Sequence, residues 1–424
     1  MTSKNTIETE KPVLFTLRWI AAMFVAFGHA YSMIFHEYVG SSWSSSAGGL
    51  LEHIALIRSG AVIVFFVISG YLVGGSVLSS IENFQFRRYF INRFSRIYIV
   101  LLPALLLTGA LDWTAYWVAP DNALYTTPAL ADSIGLEEGD SIFARYGAHQ
   151  IVTSLVTLES IIGGPIGSNF ALWSLGIEWF FYFILPAVLV VAIRFGIPRP
   201  FVPLAAAVVV AVLLTVIGLR WIATYWVIWA AGALCSQLRL DGPFTRFIPW
   251  TALVLALGML IASVELSGLL TALGIPPRIG GSLMGICFAL FLTSPRALSL
   301  SLSRTLDKKL ADFSYSLYVT HEPVLIFAVL VFFKLKIIGL QGLTLSFAGL
   351  AVFLTATSAT LIIGYIFGRL FESRTDQLKR YMLRVLPLRM PWAAPALHET
   401  KADLPARLGA RSHPAPALEH ADFR

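Results

Sequence analysis

Apolar residues in this chain do not alternate with polar ones; they gather into blocks of about 20, the length that crosses the hydrocarbon of a bilayer as a helix. The pattern predicts ten spans, at 13–35, 55–79, 94–118, 170–194, 200–219, 221–238, 247–271, 279–294, 314–334 and 343–371. The eighth is short and glycine-rich, and the fifth and sixth are joined by almost nothing around Arg220. The expected fold class is all-α, a polytopic transmembrane helix bundle of about 10 spans. Its organisation is a 1–12 N-terminal segment, a 13–372 membrane domain and a 373–424 tail. The tail is rich in Pro and Ala after Pro387 and reads as disordered. One long loop, about 119–169, is acidic at Asp121, Asp132, Glu137, Glu138 and Asp140. Within it the apolar run Ile151 to Ile162 is too short and too polar to span, and is expected to lie on the membrane surface or to cap a cavity.

Composition agrees with the pattern. The 424 residues are 57% hydrophobic and 13% charged, against about a quarter charged in a soluble domain. A net charge of +7 does not point to nucleic acid, because the basic residues lie between apolar blocks and beside no nucleic-acid motif. They read as topology signals. With both termini cytoplasmic, the inner segments collect Arg87, Arg88, Arg93 and Arg96, then Arg194, Arg199, Arg239 and Arg246, then Arg296, Arg304, Lys308 and Lys309. The outer side keeps Arg58, Arg145, Arg220, Arg278, Lys334 and Lys336. Cys235 and Cys287 fall inside apolar blocks with no CxxC or Cys/His spacing, which indicates neither a disulfide framework nor a metal site. Arg18 interrupts the first apolar block and further spans follow, so this block is a membrane helix rather than a signal peptide.

Ionisable residues at membrane depth mark candidate chemistry. Arg18 and His29 are eleven residues apart on the first span, almost three turns, on one face and roughly 16 Å apart along the axis. His29 can serve as general base or nucleophile; the bland alternative is a histidine that fixes helix packing. Arg18 can equally snorkel to the interface. In Phe65-Phe66-Val67-Ile68-Ser69-Gly70-Tyr71, the small Ser69 and Gly70 point to close helix packing first. No G-x-S-x-G elbow accompanies Ser69. Arg87, Arg88, Arg93 and Arg96 can grip phosphate oxygens bidentately, or act as inner-face anchors. Ser174, Glu178 and Tyr182 share a face at i, i+4 and i+8, and the carboxylate needs a partner, which Arg18 or His29 can supply. In the ninth span Ser314, Tyr318 and His321 form a second polar stripe, although tyrosines at a span's end are ordinarily interface anchors.

In their order these segments resemble the acyltransferase-3 family of polytopic membrane O-acyltransferases, from Arg18 to about Glu372. The resemblance rests on Arg18 with His29, Phe65-Phe66 to Ser69-Gly70, Arg93-x-x-Arg96, Trp173 to Glu178 to Tyr182, and Ser314-Tyr315-Ser316-Leu317-Tyr318 with His321. It implies transfer of an acyl group, usually acetyl, from cytoplasmic acyl-CoA to a carbohydrate hydroxyl, with no metal, in a multi-pass protein of a bacterial inner (plasma) membrane. It makes His29 the catalytic histidine and Arg18 its basic partner; the isolated intramembrane charge of Glu178 suits it to orient or balance either. Arg93 and Arg96, with Arg88 beside them, hold the donor, and Ser69, Tyr182, Tyr318 and His321 are expected to contact substrate or to support the site. Two departures stand out. The run after Arg96 is Ile97-Tyr98-Ile99, where the family commonly has proline, and the Glu-x-Pro-like ending is Glu372-Ser373-Arg374. Lipopolysaccharide, exopolysaccharide, peptidoglycan or a smaller glycoside all fit as acceptor. Acetyl and succinyl fit as donor group, and direct transfer and an acyl-histidine intermediate fit as route. The rival class is a proton-coupled transporter or glycan exporter, against which the two halves show no inverted repeat. A non-catalytic scaffold fits least, because polar residues recur in three separate spans.

Overall fold

Each of the ten apolar segments lies on a helix of the computed structural model, which describes residues 11–35, 46–81, 84–118, 142–195, 201–276, 278–339, 343 and 346–386. In chain order these are α1 (Pro12–Ile34), α2 (Ser46–Ser69), α3 (Phe86–Val118), α4 (Leu172–Arg194), α5 (Val202–Val216), α6 (Arg220–Cys235), α7 (Ile248–Ile261), α8 (Arg278–Phe291), α9 (Ser314–Lys334) and α10 (Phe347–Leu370). Among the described residues six helical regions are long and apolar enough to cross a bilayer: Pro12–Ile34, Ile57–Ser79, Phe86–Val118, Leu172–Ile193, Ser314–Lys334 and Phe347–Val385. The other four, α5 to α8, have 15, 16, 14 and 14 residues, short of the roughly 20 that a crossing takes. Local breaks shorten them. Gly218, at φ 89°, turns the chain between α5 and α6, and α7 stops at Ala262 before a separate helix, Ser263–Ala272.

One region differs from the sequence expectation. The start of the 373–424 segment is not disordered: Thr375–Val385 forms an amphipathic helix, α11, packed on α3. Its apolar Leu378 and Met382 recur at helical spacing, which gives the helix a face to bury. The Pro- and Ala-rich stretch from 387 onward lies outside the described residues, as do the acidic loop residues of 119–141. The run Ile151 to Ile162 forms two short helices, Ala148–Leu155 and Glu159–Ile162. Ile151, Val152, Leu155, Val156 and Ile162 point outward, while Thr153, Ser154 and Glu159 are buried.

Prolines inside spans show how the bundle is joined. Pro323 in α9 has no N–H, so the carbonyl of Val319 one turn earlier loses its helical donor. Asn169 supplies the replacement, its Nδ2 donating to Val319 O at 2.9 Å and to Thr108 Oγ1 at 3.1 Å. Pro186 in α4 likewise frees the carbonyl of Tyr182, which accepts from Tyr89 Oη of α3 at 2.9 Å. Each freed acceptor thus becomes a tether between neighbouring segments. Asp112 of α3 adds a third, accepting from Tyr146 Oη at 2.6 Å and from the Ser168 N–H at 2.9 Å.

α9 is the central helix, 72% buried over its most apolar window, and it packs against α1, α3 and α10. α2 continues through a π-helical turn, Gly70–Gly74, and packs against α1 and α6. That crossing is close because of its glycines: a Cβ on Gly70 would lie 1.9 Å from Trp229 O, and one on Gly232 would lie 2.3 Å from Val67 O. The outer faces carry exposed Val208, Val212, Val216, Val254 and Leu257. Apolar outside and polar inside is the arrangement a lipid environment requires.

Candidate functional site

A cavity opens where α1, α2, α3, α4 and α9 meet, with about 900 Å³ of empty space including its mouth. Arg18, Arg93, Arg96 and Glu178 give it charge; Ser69, Ser174, Tyr182, Ser314, Tyr315 and Tyr318 supply its hydroxyls. Arg93-x-x-Arg96 works as the helical spacing requires, both residues facing the same cavity. The stripe Ser174, Glu178 and Tyr182 does the same on α4. Tyr182 Oη donates to Glu178 Oε1 at 2.5 Å and lies 3.3 Å from Ser69 Oγ, which accepts from Trp229 Nε1 at 3.1 Å. The small residue at 69 therefore serves packing and polar order together.

Arg18 is held by groups from distant parts of the chain. Its Nη2 donates to Ser314 Oγ at 3.3 Å and is 4.0 Å from Glu372 Oε1. Glu372 Oε2 in turn accepts from Ser316 N and Oγ, at 3.0 and 2.8 Å. The turn of α1 that bears Arg18 is pinned on either side by Asp307, which accepts from Thr16 Oγ1 at 2.7 Å and from Trp19 Nε1 at 2.9 Å. Burial alone would raise the Asp307 carboxyl. Hydrogen bonds from Ser301, Thr16, Trp19 and the Ser303 N–H outweigh it and bring the pKa down to about 2.

His29 does not line this cavity. It belongs to a second cluster farther along α1, where its Nδ1 is 3.8 Å from Glu322 Oε1 and its ring centroid is 5.2 Å from that of His321. Glu322 is completely buried, and its Oε2 accepts from the Ala171 N–H. His321 Nδ1 is 2.6 Å from Tyr318 O. His29 Nδ1, His321 Nε2 and Glu322 Oε1 are buried with no hydrogen-bond partner among the described residues. Such atoms are costly to leave unmade, and the rarity of the arrangement makes the cluster a candidate site. Beside them Arg58 Nη1 donates to Ser32 Oγ at 2.6 Å and to Gly28 O at 3.5 Å, clipping α2 to the His29 turn of α1.

The geometry reassigns several partners expected from the sequence. Glu178 sits in the arginine cavity with Arg18, but the carboxylate facing His29 is Glu322, and the one facing Arg18 is Glu372. His321 is adjacent to His29, and Tyr315 and Tyr318 line the cavity instead of anchoring an interface. Arg88 is exposed and outside the cavity. Its neighbour Arg87 is occupied with α11, donating from Nε to Leu386 O at 2.8 Å and from Nη2 to Leu383 O at 2.5 Å. Glu322 carried a readable signal, an acid inside an apolar block, the same signal that singled out Glu178. Arg58, Asp307 and Glu372 lie at or beyond span ends, where charge is ordinary, so their sequence context does not distinguish them. Among the described residues no group of three or more His, Cys, Asp or Glu is arranged to hold a metal ion.

Comparison with known proteins adds an independent line. The acyltransferase-3 family model, described as an acyltransferase domain, matches residues 15–369. A protein of Shigella phage Sf6 described as an O-acetyl transferase is 29% identical over 169 residues, 40% of this chain. The chain spans 43% of the length of that curated relative. No solved structure matches.

Proposed function

The chain belongs to the acyltransferase-3 family, and from that membership and the site geometry we propose that it is a membrane O-acyltransferase, moving an acetyl group from cytoplasmic acyl-CoA to a hydroxyl of a cell-surface carbohydrate such as exopolysaccharide or lipopolysaccharide. The observation that carries this reading is one juxtaposition. An arginine-lined cavity lies one helical turn along α9 from the buried His29–Glu322 pair.

A thioester is already activated, so the protein's tasks are to align donor and acceptor, remove a proton and stabilise charge. Arg93 and Arg96, with Arg18, bind the donor's phosphates as planar, permanently charged donors. His29 takes the proton of the acceptor hydroxyl through Nε2 as the hydroxyl oxygen bonds to the thioester carbonyl carbon. The carbon–sulfur bond then breaks, and the leaving thiolate receives that proton from His29. Glu322, facing Nδ1, orients the imidazole and balances its charge while it is protonated. Their separation of 3.8 Å closes to a hydrogen bond as the loaded site forms, as unliganded catalytic pairs commonly do. The apolar helices and the family membership support a multi-pass membrane protein, which the proposal places in a bacterial plasma membrane with its arginine side toward the cytoplasm.

The test uses the full chain in lipid nanodiscs with radiolabelled acetyl-CoA and the surface polysaccharide fraction of the host cell. Wild-type protein is expected to label the polysaccharide, and His29→Ala to lose on the order of 10²- to 10⁴-fold in rate, the range for removing a general base. Arg93→Ala should raise KM for acetyl-CoA with a smaller change in kcat. Undiminished labelling by a folded His29→Ala protein would overturn the mechanism.

A further inference from the structure

One side chain, Tyr318, touches both the arginine cavity and the His29 cluster. Tyr318 lines the cavity, its ring edge-on to Phe65 across the way (centroids 5.4 Å apart, planes at 67°), and its other side meets His321 at 5.7 Å. The ring is also held at its far end. Tyr318 Oη is 2.6 Å from Ser174 Oγ and donates to Ala171 O at 3.2 Å. Ala171 is the residue whose N–H holds Glu322, so the tyrosine and the carboxylate facing His29 are anchored to the same residue. An acyl group on a donor gripped by Arg18, Arg93 and Arg96 therefore reaches the Phe65–Tyr318 pair before it reaches His29.

We propose that Tyr318, with Phe65 opposite it, sets the length of the acyl group that is transferred, admitting acetyl and refusing longer chains. This rests on the acyl-transfer reading above and adds the residue pair that determines donor specificity. The ring is buried, only 9% exposed, and locked at both ends, so a longer chain cannot push it aside without breaking the bonds to Ser174 and Ala171. A buried methylene contributes roughly 0.8 kcal/mol, about a fourfold factor. Opening room for two of them shifts a preference by about tenfold or more.

The experiment compares release of free CoA from acetyl-, butyryl- and hexanoyl-CoA by the full chain in nanodiscs with the surface polysaccharide fraction as acceptor. Wild type is expected to favour acetyl-CoA. Tyr318→Ala is expected to raise the butyryl-to-acetyl ratio of kcat/KM about tenfold or more. Phe65→Ala, which removes the ring packed edge-on against Tyr318, is expected to move the ratio the same way and stands in if Tyr318→Ala does not fold. Tyr318→Phe keeps the ring but loses both bonds of its hydroxyl, so the ratio should move only part of the way toward the alanine value. The inference is overturned if the folded alanine variants keep the wild-type ratio, if Tyr318→Phe shifts it as far as alanine does, or if wild type itself prefers hexanoyl-CoA. A wild-type protein that releases CoA from none of the three overturns the acyl-transfer reading, and the specificity assignment falls with it.

Discussion

Glu159 sits in a short helix against the start of α4, 2% exposed, and both its carboxylate oxygens lack a hydrogen-bond partner among the described residues. Burial raises its pKa from 4.5 to about 8. The folded chain therefore holds a proton there that the unfolded chain releases above 4.5. The resulting stability is full below pH 4.5, falls as pH rises from there to about 8, and then levels off. Glu159→Gln has no such proton to hold. It should match wild type near pH 4.5 and melt higher by about 2–4 °C or more at pH 8, as read by thermal unfolding in detergent across that range. Parallel melting curves at all pH values would contradict the assignment. Residues of this kind show how far sequence reading reaches. Acids and histidines inside apolar blocks, His29, Glu178 and His321, announce themselves by their cost. Glu322 does too, whereas Glu372 and Asp307 look like ordinary span-end charges until the fold brings Arg18 and Trp19 to them.

Helix contacts are set by small residues and prolines more than by strong pairwise bonds. The crossing of α2 on α6 depends on Gly70, whose missing Cβ leaves room for the Trp229 carbonyl, and the same contact seats the Trp229 indole on Ser69. Gly70→Ala should force the helices apart at a cost of about 1–3 kcal/mol, the range for overpacking a tight core. Gly258→Ala, with nothing within 4 Å of the added carbon, should be neutral or slightly stabilising through helix propensity. Thermal stability of the two variants side by side is the measurement, and equal melting would refute the packing account. Close packing at Ser69-Gly70 was readable in the sequence as small residues. The tethers at Pro323 and Pro186 were not, because a proline declares that a carbonyl is freed without naming the side chain, Asn169 or Tyr89, that satisfies it.

Across the whole molecule, Arg18, Arg93 and Arg96 gather at one cavity with Glu372 behind Arg18, while Arg58, Ser32 and Glu322 gather farther along α1 and α9. The proposed orientation, with the arginine side toward the cytoplasm, has the donor entering from within the cell and the acceptor meeting His29 from the other direction. Single cysteines placed in a cysteine-free protein at the exposed positions Arg88 and Lys336 test that orientation. A membrane-impermeant thiol reagent should label Arg88→Cys only from the cytoplasmic face and Lys336→Cys only from the outside. The reverse pattern would exclude a cytoplasmic donor.

What the sequence by itself determined is that the chain is helical and built for a bilayer, which residues share a helix face, and which buried charges are expensive enough to need a purpose. These follow from local composition and the 3.6-residue period, quantities that belong to one segment at a time. The tertiary structure alone decided that His29 faces Glu322, that Arg18 faces Glu372, and that Tyr318 touches both the arginine cavity and the His29 cluster. The physical reason is rotational: periodicity defines the face on which a side chain lies, but how one helix is turned toward the next depends on packing summed over residues hundreds of positions apart.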